Sequence, residues 1–105
     1  ISKSLQFRQL VDQHFRQEHS VAFYADQLCI TPGHLNDLFR KESGTTAKQF
    51  IINRLTTEAK RLLLYSELPV SEIAWELGYT DPSYFVRLFR NEIGSSPLAF
   101  RLQKK

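Results

Sequence analysis

Two short stretches carry the residues of this chain best equipped for chemistry. In "PGHLNDLFRKESG" (Pro32–Gly44) the small and polar positions include Gly33, His34, Asn36, Asp37, Arg40 and Lys41. In "PSYFVRLFRNEIG" (Pro82–Gly94) they include Ser83, Tyr84, Arg87 and Arg90, with Val86 among them. Guanidinium and ammonium groups hold anions, and a carboxamide or guanidinium can make two hydrogen bonds to one flat polar edge. No Ser/His/Asp constellation, paired-carboxylate site or glycine-rich phosphate loop accompanies them, so the chemistry on offer is binding and not catalysis. The two stretches also answer each other. Proline, leucine, phenylalanine, arginine, glutamate and glycine recur at the same places fifty residues apart.

The elements that must position these residues are helices. Strand-like alternation is absent and apolar residues recur at steps of three and four. Leu5, Leu10, Val11 and Phe15 predict a first helix over roughly 2–17. Ser20 caps a short second one carrying Val21, Tyr24, Ala25 and Leu28. Thr31-Pro32 opens a third, a capping hydroxyl followed by proline at the first helical position, and Gly44 ends it. A long helix over about 46–65 holds Phe50, Ile51, Leu55, Ala59, Leu62 and Leu63. After Leu68-Pro69 the cycle repeats, with Val70, Ile73, Ala74, Trp75 (expected partly buried) and Leu77 in a short helix. Gly78 then makes a turn, a helix runs from Asp81-Pro82 to Gly94, and Ser96-Pro97 opens a last helix through Ala99, Phe100 and Leu102.

Each half is thus a short helix, a tight turn and a second helix, the apolar spacing of a helix-turn-helix. Ala25 is the small residue at the first crossing, with Tyr24, Leu28, Ile30, Leu35 and Leu38 as the wedge. Ala74 takes that part in the second, with Ile73, Leu77, Tyr79, Phe85 and Leu88. The second turn is one residue longer, so the parts upstream of it align at a shift of 49.

Composition narrows the class. The chain has 105 residues, 42% hydrophobic and 24% charged, which fits one core or two very small ones. No apolar run is long enough to span a membrane, and neither end reads as a signal peptide. The single cysteine, Cys29, permits no internal disulfide, fits a reducing compartment and is read as a small turn residue. His14, His19 and His34 lie scattered without ligand spacing, so no metal or other cofactor is expected. The net charge of +3 is unevenly placed: residues 40–61 hold six Lys/Arg against two acids, and 87–105 hold five against one. Between them, residues 62–81 hold no Lys or Arg and four acids, Glu67, Glu72, Glu76 and Asp81. That alternation suggests one side for a polyanion and another for something else. The chain lacks methionine and opens on Ile1, so a piece of a longer protein is expected, preceded by an N-terminal regulatory or sensor region.

The residues resemble the C-terminal DNA-binding domain of the AraC/XylS transcription regulators over essentially the whole chain. The most specific part is "EIAWELGYTDPSYFVRLFRNEIGSSPLAFR", where Ile73-Ala74, Gly78-Tyr79, Ser83-Tyr84-Phe85, Arg87, Phe89, Gly94, Pro97 and Arg101 match the family signature. "RLTTEAKRLL" (Arg54–Leu63) resembles the linker helix. Departures fall in the first half: Cys29 where glycine is common, Gly33 where a larger side chain is usual, and Asp37 where arginine is frequent. The resemblance implies an all-α fold of seven helices: a first helix-turn-helix subdomain over 1–45, a linker helix over 46–65 and a second subdomain over 66–105. It also implies sequence-specific binding of double-stranded promoter DNA by a bacterial, cytoplasmic regulator, read here as an activator.

A recognition helix enters the major groove, and successive grooves on one side of B-DNA lie ~34 Å apart. A linker helix of about 20 residues makes ~30 Å of rod, so one chain could fill two adjacent grooves. For base reading, the outward candidates are Gly33, Asn36 and Asp37 in the first unit and Ser83, Val86 and Arg87 in the second. Asn36 suits adenine, Arg87 guanine and Val86 a thymine methyl. Asp37 either accepts from a cytosine amino group or orients a basic neighbour, and Gly33 offers close approach. His34, Arg40, Lys41, Tyr84 and Arg90 are the phosphate candidates, which fix position without reading sequence. The acidic block either meets a basic patch on RNA polymerase or is a solvated face with charge well placed at a helix N-terminus. A helical protein–protein adaptor would share the core pattern, but its outward faces would have no reason to match between halves.

Overall fold

The computed structural model describes residues 1–104, and every regular element among them is an α-helix. α1 (Lys3–His14), α2 (Val21–Gln27) and α3 (Pro32–Ser43) precede α4 (Ala47–Tyr65), and α5 (Val70–Glu76), α6 (Pro82–Ile93) and α7 (Pro97–Lys104) follow. Local chemistry sets the boundaries. The hydroxyls of Ser2, Ser20, Thr31, Thr46 and Ser96 accept from the backbone N–H three residues on, and the Asp81 carboxylate accepts from Ser83 N–H. Each bond satisfies a donor that the first helical turn leaves without a partner. Gly44 and Gly94 close α3 and α6 with φ of 82° and 94°, and their N–H groups bond Arg40 and Arg90 O. Glycine takes that left-handed conformation without a Cβ clash.

The chain divides into two compact units, Ile1–Arg54 and Leu55–Lys105, with the boundary inside α4. In the first unit, Phe7, Val11, Tyr24, Ala25, Leu35 and Phe39 are almost wholly buried. Phe7 sits edge-on to Tyr24 and Phe39 at 5.6 and 5.0 Å between ring centres. The buried Ser4 hydroxyl donates to the Glu42 carboxylate, tying α1 to α3. Arg54 bonds the Asp12 carboxylate and lies 4.1 Å from the centre of the Phe15 ring, tying α4 to α1. In the second unit the core is Leu55, Ala59, Leu63, Ile73, Ala74, Leu77, Phe85 and Phe89, with Phe100 of α7 edge-on to Phe89. Arg101 donates to the carbonyls of Leu63, Leu62 and Ser66, so a cation caps the C-terminal end of α4. Buried Glu58 is held by both forks of Arg61 at 2.8 Å.

Four expectations from the sequence need correction. α1 ends at His14, not near 17, because Gln17 and Glu18 N–H both fold back to His14 O and close a turn. Its inward stripe is Ser4, Phe7, Val11 and Phe15, whereas Leu5 is 45% exposed and Leu10 only half-buried. Leu5 and Leu10 are five residues apart, roughly 140° around the helix, too far for one stripe. Trp75 is 67% exposed, because α5 buries Ile73, Ala74 and Leu77 on its other side. Leu102 also points to solvent.

Candidate nucleic-acid interface

The helix-turn-helix units close with the same backbone bond. Ile30 N–H reaches back to Ala25 O at 3.0 Å, and Tyr79 N–H to Ala74 O at 2.9 Å. Both crossing alanines are completely buried, as the small-residue reading requires. Each turn needs one left-handed residue: Gly78 at φ 86° in the second and Cys29 at φ 58° in the first. The extra residue of the second turn, Thr80, falls after this closure and before the Asp81 cap.

The two second helices then repeat each other residue by residue. From 31 to 42 and from 81 to 92 the sequence of buried, half-buried and exposed positions is the same. Leu35 and Phe39, like Phe85 and Phe89, face the core. Gly33, His34, Asp37, Arg40 and Lys41 are exposed, as are Ser83, Tyr84, Arg87 and Arg90, while Asn36 and Val86 are half-buried at matching places. The sequence-predicted site residues therefore share one outward face within each unit. Shallow concavities mark that face at equivalent positions: His34, Asp37, Leu38 and Lys41 line one, and Tyr84, Arg87, Leu88 and Asn91 line the other. Asn91 lines this face too and is not among the residues predicted from the sequence. The fifty-residue offset from Lys41 was the signal that points to it.

Within these faces the side chains are arranged differently. Asp37 pairs with Arg40 at 3.7 Å, both largely exposed. Asn36 Oδ1 accepts from the Lys48 backbone N–H at 3.1 Å, so a predicted base reader also caps the first turn of α4. A Cβ at Gly33 would meet nothing within 4 Å, so glycine there leaves open surface. In the second unit the Arg87 guanidinium lies 6.0 Å from the centre of the Tyr84 ring. That ring stacks in turn on Tyr79. Burial, with a smaller contribution from Tyr84, pushes the Tyr79 phenol up to about 12, so it keeps its proton at any ordinary pH.

The chain matches the family described as "Helix-turn-helix domain" over residues 24–103. Its relatives include the arabinose operon regulatory protein of Salmonella typhimurium, 32% identical over 92 residues, which cover 88% of this chain and 31% of that protein. The C-terminal domain of AraT, a response regulator from Geobacillus stearothermophilus, superposes with a TM-score of 0.91 at 29% identity, covering 98% of this chain and 86% of that one. The DNA-binding domain of AdpA, a global transcriptional factor solved in complex with a target DNA, gives 0.86 at 25%, covering 98% and 93%. This chain belongs to the AraC/XylS family, as its DNA-binding domain. The AraC-type domain spans about a third of the length of the arabinose regulator it matches. The family is one of DNA-binding transcription regulators and not a class of enzymes. Among the described residues, no three His, Cys, Asp or Glu side chains cluster to hold a metal ion, and no helix is long and apolar enough to cross a membrane.

Proposed function

We propose that the AraC-type domain reads promoter DNA with α3 and α6 in successive major grooves, one chain covering a site that a single unit could not. The observation that carries this reading is the matched face: two helices with one pattern of burial present their outward residues at the same positions. Residues 1–45 and 66–105 act as the two reading subdomains and 46–65 as the linker. Gly33, Asn36, Asp37, Ser83, Val86 and Arg87 face the base edges, and His34, Arg40, Lys41, Tyr84 and Arg90 lie toward phosphate. The domain works in the bacterial cytoplasm as part of a longer regulator, with an N-terminal region supplying the signal. Duplex titration at two salt concentrations tests the electrostatic part. Three phosphate-facing cations, Arg40, Lys41 and Arg90, give a log–log slope near −3, or about 40-fold weaker binding from about 50 to 200 mM salt. Flat salt dependence, with no sequence enriched from a random duplex library, fits an adaptor and not a reader.

The acidic block gives this regulator a second face, toward RNA polymerase, and makes it an activator. Glu67, Glu72 and Glu76 are exposed, and Trp75 stands out to solvent on α5 between the last two. An exposed tryptophan framed by carboxylates suits a basic protein surface and repels phosphate. Glu72 also lies in the first turn of a helix with no side-chain cap, where its charge is stabilising in any case. Replacing all three glutamates with glutamine should cut promoter activation and leave promoter affinity intact. Unchanged activation would reduce the acids to that stabilising part.

A further inference from the structure

The amide of Asn36 is not free to turn both of its ends to DNA. A carboxamide reads adenine by doing two things at once: its nitrogen donates to N7 and its oxygen accepts from the N6 amino group. Here the oxygen accepts from Lys48 N–H at 3.1 Å, which turns that end of the amide toward α4. The donor is a backbone N–H and can bond only to an acceptor, so the oxygen end of the amide is identified by chemistry. The bond belongs to the frame of the first unit. Thr46 Oγ1 takes the Gln49 N–H and Thr46 O the Phe50 N–H, and Asn36 supplies the acceptor for Lys48 just before them. Releasing it to read adenine would hand the exposed Lys48 N–H to water and loosen the joint between α3 and α4. The amide nitrogen has no partner among the described residues, and Asn36 is half-exposed on the outward face. The second unit offers the contrast: Val86 holds the matching position and has neither acceptor nor donor, and Leu98 N–H gets no such cap from it.

We infer that Asn36 reads bases through its amide nitrogen, its oxygen turned to Lys48 N–H, so that the first recognition helix selects guanine and not adenine at the base pair it faces. Guanine shows two acceptors, N7 and O6, to the major groove. Adenine shows N7 beside an amino donor, which the nitrogen end of the amide would meet donor to donor. The inference rests on the proposal that α3 lies in a major groove. Two variants separate the two halves of the amide: Asn36→Asp keeps an acceptor for Lys48 and loses the donors, and Asn36→Val loses both. Hydrogen exchange of the Lys48 amide in the free chain reads the cap, and selection from a random duplex library reads the base. The Lys48 amide should be protected in the wild type and in Asn36→Asp, and should exchange about tenfold faster in Asn36→Val. The wild type should prefer guanine over adenine at one position by about tenfold. Asn36→Asp should turn that preference to cytosine, whose amino group the remaining carboxylate oxygen accepts, and Asn36→Val should abolish it. Selection of adenine by the wild type, or an unprotected Lys48 amide, would overturn the assignment while leaving DNA reading intact. Failure to enrich any duplex would sink the groove-reading proposal itself, and this inference with it.

Discussion

α3 and α6 are built on one plan and charged on two. Their burial runs in step over 31–42 and 81–92, yet the position that holds Asp37 in α3 holds Arg87 in α6. In α3 the acid draws Arg40 to 3.7 Å, so one turn of the helix presents a nearly neutral pair. In α6 the equivalents, Arg87 and Arg90, are both cations, and Arg87 is steered by the Tyr84 ring. Packing constrains only the inward third of such a helix, so the outward residues are free to diverge without touching the fold. The two units thus share a scaffold, and in the proposed pose they divide the labour: α6 would supply attraction and a guanidinium, and α3 discrimination through an amide and a carboxylate.

The sharpest way to break the comparison is to remove the scaffold from one unit at a time. Phe39 and Phe89 occupy the same place in the two helices and are 1% and 0% exposed. Truncating either to alanine should cost about 3–5 kcal/mol, enough to unfold a small unit. Because the chain forms two compact units, Phe89→Ala should strip amide protection from residues of the second while those of α1–α3 keep theirs, and Phe39→Ala should do the converse. Residue-resolved hydrogen exchange decides it; simultaneous loss throughout would show one cooperative body.

Sequence reading reached this scaffold because its determinants are local. Caps at Ser20, Thr31 and Asp81, proline at the first turn of α3 and α6, and the stop glycines act through neighbours within four residues, and all stand where expected. The internal repeat then checked each half against the other. What escaped was set by distance or by angle. Asn36 meets Lys48 twelve residues on, through the packing of α3 against the start of α4, and no spacing rule encodes that bond. Arg101, found by resemblance alone, reaches carbonyls 35 to 39 residues away, and the matching position in the first unit is the buried Ile51. Leu5 was misplaced because composition in a window does not say which face an apolar residue takes. The outward faces were legible as faces, and so was Asp37 as a group able to orient a basic neighbour, here Arg40; the stacking of Tyr84 on Tyr79 was not.

Arg87 sharpens the comparison on the reading side. Arg87→Ala should lower affinity and relax choice at one or two base pairs, with about 1–3 kcal/mol of discrimination lost, as measured by selection profiles of wild type and variant. Equal loss on every sequence would make Arg87 a phosphate contact and leave α6 without its principal base reader.

The turns differ more quietly. Gly78 at φ 86° takes the left-handed conformation freely, whereas Cys29 at φ 58° bears a Cβ in the same role. A non-glycine residue there costs about 1–2 kcal/mol, partly offset because glycine loses more freedom on folding. Cys29→Gly should therefore stabilise the first unit by about 0.5–1 kcal/mol, and Gly78→Ala should destabilise the second by about 1 kcal/mol. Thermal unfolding of the two variants reads both signs. A destabilising Cys29→Gly would mean that the exposed thiol makes contacts worth more than the strain.

The smallest effect tests whether α3 trades affinity for choice. Asp37 faces the base edges in the proposed pose, where its charge still repels the phosphates, and its exposed pair with Arg40 is worth ~1 kcal/mol at most. Removing the acid releases Arg40 to phosphate and removes a repulsion at the same time. Asp37→Ala should therefore tighten binding to all duplexes by about 0.5–1 kcal/mol, lift non-specific binding in proportion, and erode preference at one base step. Affinities for a selected and a scrambled duplex at one salt concentration measure both. If Asp37→Ala instead weakens binding to every duplex alike, the carboxylate serves to aim Arg40 at its phosphate. α3 and α6 would then both be helices of attraction, differing in how each positions its arginine: a carboxylate in one, a tyrosine ring in the other.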